Sequence, residues 1–154
     1  MKTFVMLSDS HGRRGVVEKL SPLFAENDYI VHLGDGAGDM REITERYPEK
    51  TDVCKGNCDF VHALEETVIE AEGVSILCCH GHKYGVKSGL AKLAARAKEL
   101  GCEVALYGHT HRAEIENVDG VLCINPGSAG AYANASYCYL VLHNGKATPT
   151  IVNL

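Results

Sequence analysis

Short apolar runs bounded by polar residues alternate along this chain with segments whose apolar residues recur every three to four positions. The run from Phe4 to Leu7 is too short for a helix and suits a strand buried on both faces, stopping at Ser8-Asp9. Val16, Leu20, Leu23 and Phe24 then recur at helical spacing, where Pro22 must kink the helix or start a second short one. A second buried strand runs from Tyr29 to Leu33 and ends at Gly34-Asp35. Met40, Ile43, Thr44 and Tyr47 predict a short helix closed by Pro48, and a brief strand from Thr51 to Lys55 leads into Gly56-Asn57. This strand-helix-strand-helix-strand order argues for parallel pairing with helices packed on the sheet, an α/β class. The pattern then changes. Leu64 to Ala71 and Val74 to Cys79 read as two strands joined by a turn at Glu72-Gly73, the second ending at His80-Gly81-His82. The strongest helical stripe, Leu90, Leu93, Ala94, Ala97 and Leu100, predicts a helix over Ser88 to Leu100 with Gly101 as its stop. Strands are expected at Glu103 to Tyr107, Ile115 to Val118, Val121 to Ile124, Tyr137 to His143 and Thr148 to Val152.

A chain of 154 residues is the size of one domain with one sizeable core, so residues 1-154 are expected to form a single unit. Hydrophobic residues at 45% and charged residues at 23% fit a globular protein better than a disordered or membrane-spanning one. The net charge of -5 offers no general attraction for a nucleic-acid backbone, which makes a large nucleic acid a poor partner. The seven cysteines are odd in number, contain no CxxC pair and sit mostly in apolar runs, so buried free thiols are expected. The apolar start of MKTFVMLSDSHG is stopped by Asp9 too early for a signal peptide, and a cytoplasmic protein without a membrane partner is the simplest expectation.

The chemistry lies in a positional regularity. Asp9, Asp35, Asn57, His80 and the pair His109 and His111 each stand at or just past the C-terminal end of a predicted strand, where ligands bind in open α/β sheets. Asp9-Ser10-His11 alone could merely cap the next helix, and Gly34-Asp35 or Gly56-Asn57 alone could be turns. His80-Gly81-His82 and His109-Thr110-His111 are more telling, because neutral imidazole is the commonest metal ligand. A single satisfied core histidine explains any one of these but strains to explain all. His32, inside a strand, and His143, near the end of another, read as packing or surface residues. Arg13 and Arg14 follow the first motif, where a guanidinium could meet a substrate phosphate or simply face solvent. Asn125 to Ser128 are expected to form a turn supporting His109 or His111.

The series DSH, GD, GNCD, HGH and GHTH, spanning Asp9 to His111, resembles the calcineurin-like metallophosphoesterase superfamily, in particular its small bacterial and archaeal phosphodiesterase branch; NPGS at Asn125 to Ser128 is similar to that branch too. The resemblance implies two mixed β-sheets packed face to face as a sandwich, flanked by helices. It also implies that Asp9, His11 and His111 hold one divalent metal, that Asn57, His80 and His109 hold a second, and that Asp35 bridges them. Manganese is the expected metal on this resemblance, with iron, cobalt, zinc and nickel open, and the expected reaction is in-line attack on phosphorus by a metal-bridging hydroxide. His82, Cys58, Asp59 and Arg13 are candidates for supporting or substrate-contacting roles. Many members of the wider superfamily carry GNH where this chain has Gly56-Asn57-Cys58, so the usual proton donor is missing. That departure favours a small phosphodiester as substrate over a phosphoprotein. Two alternatives stay open: a phosphomonoesterase, and a protein-binding scaffold of the same fold with little catalysis. Homo-oligomerisation is open as well.

Overall fold

The computed structural model describes residues 1–154. Ten strands, β1 Lys2–Leu7, β2 Tyr29–His32, β3 Thr51–Val53, β4 Glu66–Ala71, β5 Val74–Cys79, β6 Val104–Leu106, β7 Ala113–Val118, β8 Val121–Pro126, β9 Ser136–His143 and β10 Lys146–Asn153, are joined by four α-helices, α1 Arg14–Lys19, α2 Ser21–Glu26, α3 Arg41–Arg46 and α4 Ala91–Glu99. They form two five-stranded sheets, ordered β10-β9-β1-β2-β3 and β4-β5-β6-β8-β7. In the first, β1, β2 and β3 run parallel, as the strand-helix alternation requires, and β9 and β10 add antiparallel. In the second, β5, β6 and β8 are parallel, with antiparallel β4 and β7 on the edges.

The period-two alternation of strands explains the layering. Phe4, Met6, Val31 and Leu33 of the first sheet point inward and share one cluster with Ile76, Cys78, Val104, Leu106 and Ile124 of the second, so the two sheets pack face to face. Their neighbours Val5, Leu7 and Ile30 point outward onto Val17, Leu20, Phe24, Met40 and Ile43 of the first three helices and the turn before α3. On the opposite outer face, Leu77, Cys79, Ala105 and Cys123 pack against Leu93, Ala94 and Ala97 of α4. Strands sandwiched in this way are apolar on both faces, which is why β1 and β2 read as continuous hydrophobic runs. No helix is long and apolar enough to cross a membrane.

Two expectations are corrected. The long helix begins at Ala91, not Ser88, because Gly89 (φ 134°, ψ 167°) breaks the chain between a 3₁₀ turn at Val86–Ser88 and α4. Asn125 and Pro126 extend β8 rather than forming a turn; β8 pairs with β7 through Pro126, and the chain turns at Gly127. Pro22 does start a second helix, α2, as one of the two readings allowed. All seven cysteines are free and six are buried, with Cys58 alone exposed. Burial pushes thiol pKa values up, to about 12 at Cys54 and about 11 at Cys123, so these side chains behave as small hydrophobes.

Candidate metal centre

The C-terminal ends of β1, β2, β3, β5 and β6 open on one edge, and the loops there are stitched together through their backbones. Asp9 N–H donates to Gly34 O (2.9 Å), His11 N–H to Asp35 O (3.0 Å) and Gly108 N–H to His80 O (2.9 Å). Five of the candidate ligands stand in the left-handed backbone region: Asp9 (φ 54°), His11 (46°), Asp35 (56°), His109 (71°) and His111 (63°). Non-glycine residues adopt that region rarely, at a cost of about 1–3 kcal/mol each, and such strain clusters at functional sites. Each loop therefore leaves its strand sharply and turns its side chain back toward the common edge.

Two groups of side chains result, Asp9, His11 and His111 in one and Asp35, His80 and His109 in the other, the candidate ligand atoms of each lying within 4.8 Å of one another. Asp9 is wholly buried and its two oxygens differ. Oδ2 accepts hydrogen bonds from Ser8 Oγ (2.5 Å) and from the His109 backbone N–H (3.1 Å), whereas Oδ1 has no hydrogen-bond donor. That orphaned oxygen sits 3.1 Å from His111 Nε2 and 3.5 Å from His11 Nε2. Asp35 is divided likewise. Its Oδ1 accepts the Cys58 N–H (2.8 Å), and Oδ2 lies between the groups, 3.3 Å from His80 Nε2 and 3.9 Å from His11 Nε2.

The second group shows why a cation fits. His80 Nδ1 lies 2.8 Å from Leu33 O, a pure acceptor, so Nδ1 carries the proton and the lone pair of a neutral ring is on Nε2. That lone pair faces Asp35 Oδ2 and, at 3.1 Å, His109 Nδ1. A carbonyl fixing the far side of a ligand imidazole is the usual outer support of metal-binding histidines. Two buried carboxylates with one free oxygen apiece and four imidazoles of matching reach form two groups of nitrogen and oxygen donors, each of which could hold a divalent ion, without thiolate.

Behind the ligands runs a polar network in which the support from Asn125 to Ser128 was expected and the part played by His32, Ser10 and Asp39 was not. Gly34 N–H donates to His32 Nδ1 (3.1 Å), which leaves the proton on Nε2 to meet Ser10 Oγ (2.9 Å). Ser10 in turn donates to Asp39 Oδ2 (2.7 Å), which also accepts the Gly12 N–H (2.9 Å). The chain pins the backbone on both sides of His11. Burial pushes the His32 pKa down to about 4, so its ring is neutral. Ser128 Oγ donates to Asp9 O (2.9 Å), and Asn125 Nδ2 to Gly108 O (3.1 Å) and Thr110 Oγ1 (3.0 Å), so the NPGS segment braces both the first and the last motif. A lone histidine in an apolar strand and serines flanking Asp9 were the available signals, and neither distinguishes bracing from ordinary packing.

The remaining candidates fall around the two groups. Asp59 accepts four backbone N–H groups, from Asp35 (2.8 Å), Gly36 (3.0 Å), Ala37 (3.1 Å) and Gly56 (2.8 Å). Burial would raise its pKa, but these bonds together hold it below the ordinary carboxylate value. It thus locks the loop after β2 to the loop after β3. Asn57 is exposed on the latter loop, between the anchored Gly56 and Cys58, with its amide nitrogen 3.5 Å from Cys58 Sγ. His82 belongs to neither group. Its ring centre lies 5.4 Å from that of His80 and 6.1 Å from that of His109, and its Nδ1 is buried without a partner. Arg13 is turned aside from the ligands, with Nη1 donating to Gly130 O (3.0 Å) and Ala131 O (3.1 Å) and its guanidinium over the Tyr132 ring. His143 is exposed.

Residues 1–146 match the family model described as the calcineurin-like phosphoesterase superfamily domain. The chain belongs to that superfamily. Among its relatives, a probable metallophosphoesterase of Bacillus subtilis is 38% identical over 151 residues, covering 94% of this chain and 86% of that one. A phosphodiesterase of Methanocaldococcus jannaschii is 35% identical over 69 residues, 42% of this chain and 35% of that one. The fold of wild-type Vps29 from Entamoeba histolytica, crystallised with zinc, superposes with a TM-score of 0.77 at 22% identity, covering 98% of each chain. An imidazole binds a metal in its neutral form, and burial first, then the neighbouring His80, push the His109 pKa down in that direction; the same two causes lower the pKa of His82, outside both groups.

Proposed function

We propose that this phosphoesterase is a dinuclear metal-dependent phosphodiesterase in which Asp9, His11 and His111 hold one ion, Asn57, His80 and His109 hold the other, and Asp35 is shared. The observation that carries this reading is the buried Asp9 Oδ1, which lacks any donor yet faces His11 and His111 Nε2. An unpaired buried carboxylate oxygen is costly unless a cation satisfies it. Two divalent ions would supply an acidified water and Lewis-acid stabilisation of the phosphoryl oxygens, with in-line displacement and no covalent enzyme intermediate. The residues contribute orientation. Leu33 O fixes His80, the His109 and Ser8 donors fix Asp9, and Asp59 fixes the two loops that present Asp35 and Asn57. Manganese remains the preferred metal on family resemblance.

Diester preference is supported by Cys58, exposed where many relatives place an imidazole. A thiol held beside the Asp35 and Asp59 carboxylates is a poor proton donor to a leaving alkoxide, so good leaving groups suit the site best. The deciding experiment is turnover and not metal content, since a zinc-bound protein of the sorting family has the same fold. Protein reconstituted with manganese should hydrolyse an aryl phosphodiester faster than the matching aryl phosphomonoester. A reversed ratio would make it a monoesterase, and no turnover of either ester at full loading would favour a scaffold.

A further inference from the structure

Beside the last motif lies a groove of about 370 Å³ lined by Val86, Lys87, Thr110, Arg112 and Glu114. Thr110 stands between His109 and His111, so the groove opens next to both candidate ligand groups. Its two cations come from separate segments. Lys87 is on the 3₁₀ turn after His82 and Arg112 directly follows His111. Both are exposed, and neither forms an ion pair, although five other lysine and arginine side chains and the amino terminus meet carboxylates within 4.0 Å. The one acid in the groove, Glu114, is engaged at its base, where Tyr107 donates to Oε2 (3.1 Å). Thr110 is held in place as well, its Oγ1 accepting Asn125 Nδ2 and the Arg112 N–H (3.2 Å).

We propose that the Lys87–Arg112 groove is an anion subsite that selects phosphodiesters whose leaving or retained group carries a second phosphate or carboxylate. The inference rests on the phosphodiesterase reading for the chemistry, but the subsite itself requires no metal. An ammonium and a guanidinium from separate segments, together with the Thr110 hydroxyl in the same lining, offer donors to a tetrahedral or planar anion. The short spacing between Thr110 and its flanking histidines places such an anion within one small molecule of the reacting phosphorus. Neutral or purely apolar substituents gain nothing there.

Two measurements test this. In the manganese-loaded protein, matched aryl phosphodiesters ending in a neutral amide, a carboxylate or a phosphate are compared. The double variant Lys87→Ala/Arg112→Ala should raise KM about three- to tenfold for both anionic esters and leave kcat and the neutral ester within twofold, the range expected for two solvent-exposed charge contacts. A control that removes two positive charges elsewhere, Lys98→Ala/Lys146→Ala, should not do so. Unequal effects on carboxylate and phosphate would tell which anion the groove is shaped for. In metal-free ¹⁵N-labelled protein, inorganic phosphate should shift the amides of residues 86–87 and 110–114, and the double variant should lose those shifts while keeping the rest of its spectrum. Phosphate shifts at these residues without turnover of any ester would support the subsite while sinking the hydrolase reading. Equal KM changes for neutral and anionic esters, or no phosphate shifts at 86–87 and 110–114, would overturn the subsite.

Discussion

Asp9 and Asp35 are both strand-end carboxylates with one oxygen tied down and one free, yet their surroundings differ. Asp9 Oδ1 faces only His11 and His111, whereas Asp35 Oδ2 lies 3.9 Å from His11 and 3.3 Å from His80, one member of each group. Asp35→Asn is therefore expected to lower metal content more than Asp9→Asn, from about two ions per chain toward none, because it weakens both positions at once. Metal analysis after gel filtration checks this, and full retention in the Asp35 variant would rule out a shared carboxylate. Cys58 invites a gain of function. General acids contribute about a hundredfold to ten-thousandfold, so single-turnover rates of the natural sequence should fall steeply as leaving-group pKa rises. Cys58→Ala should keep most activity with aryl diesters, and Cys58→His should recover alkyl diesters selectively. A flat dependence in the unsubstituted protein would mean that another residue already donates, and His82, whose ring adjoins His80, is the first to replace.

At the level of elements, the site depends on how closely the strand-end loops approach one another. Gly34 (φ 103°) leaves β2 where a Cβ would stand 2.7 Å from Gly56 N, and a Cβ at Gly108 would stand 2.1 Å from Ser8 Oγ and 2.7 Å from Asp9 Oδ2. Backbone cannot yield at the first position, and at the second the displaced atoms are Ser8 Oγ and the Asp9 Oδ2 to which it is hydrogen-bonded. Gly34→Ala should cost several kcal/mol of stability by strain alone, on the order of 2–4, read from denaturant midpoints at unchanged slope. Gly108→Ala should cost less stability but abolish high-affinity metal binding. Equal loss of both properties in the two variants would show that Asp9 is not what Gly108 makes room for.

For the whole molecule, the His32 network ties the fold's acid stability to the site. A free histidine has a pKa near 6.5 and buried His32 has one of about 4, so between these values the unfolded chain binds a proton that the folded chain refuses. Stability contributed by the neutral ring is thus complete above about pH 6.5 and is lost as pH falls toward 4, by about 3 kcal/mol in total. His82 and His109, also lowered, act in the same direction, and Asp59, held below the ordinary carboxylate value, loses its contribution at lower pH still. In metal-free protein, His32→Gln should flatten, without abolishing, the decline between pH 6.5 and 4. An unchanged slope would mean that the ring takes up a proton in the folded state. Saturating metal should raise stability by about 2.7 kcal/mol at a hundredfold excess over its dissociation constant, an increase the Asp9→Asn variant should show only in part.

Six of the side chains that meet at the strand edge, Asp9, Asp35, His11, His80, His109 and His111, were legible in the sequence, because a buried parallel strand is a short apolar run and whatever polar residue ends it must emerge at the same edge. The hairpin at Glu72-Gly73 and the split helix at Pro22 were legible for equally local reasons, φ freedom and a missing N–H. What surrounds the site was decided by tertiary packing. Asp59 reads as one more acid in GNCD until four backbone N–H groups from two loops converge on it, and His32 reads as a packing residue until Ser10 and Asp39, from other segments, complete its hydrogen bonds. Arg13, a phosphate contact by position, is drawn off by carbonyls more than a hundred residues away. Periodicity and motif spacing act through the chain's own backbone, whereas hydrogen-bond partners are set by which loops the packed sheets bring together, and that is a property of the folded molecule alone.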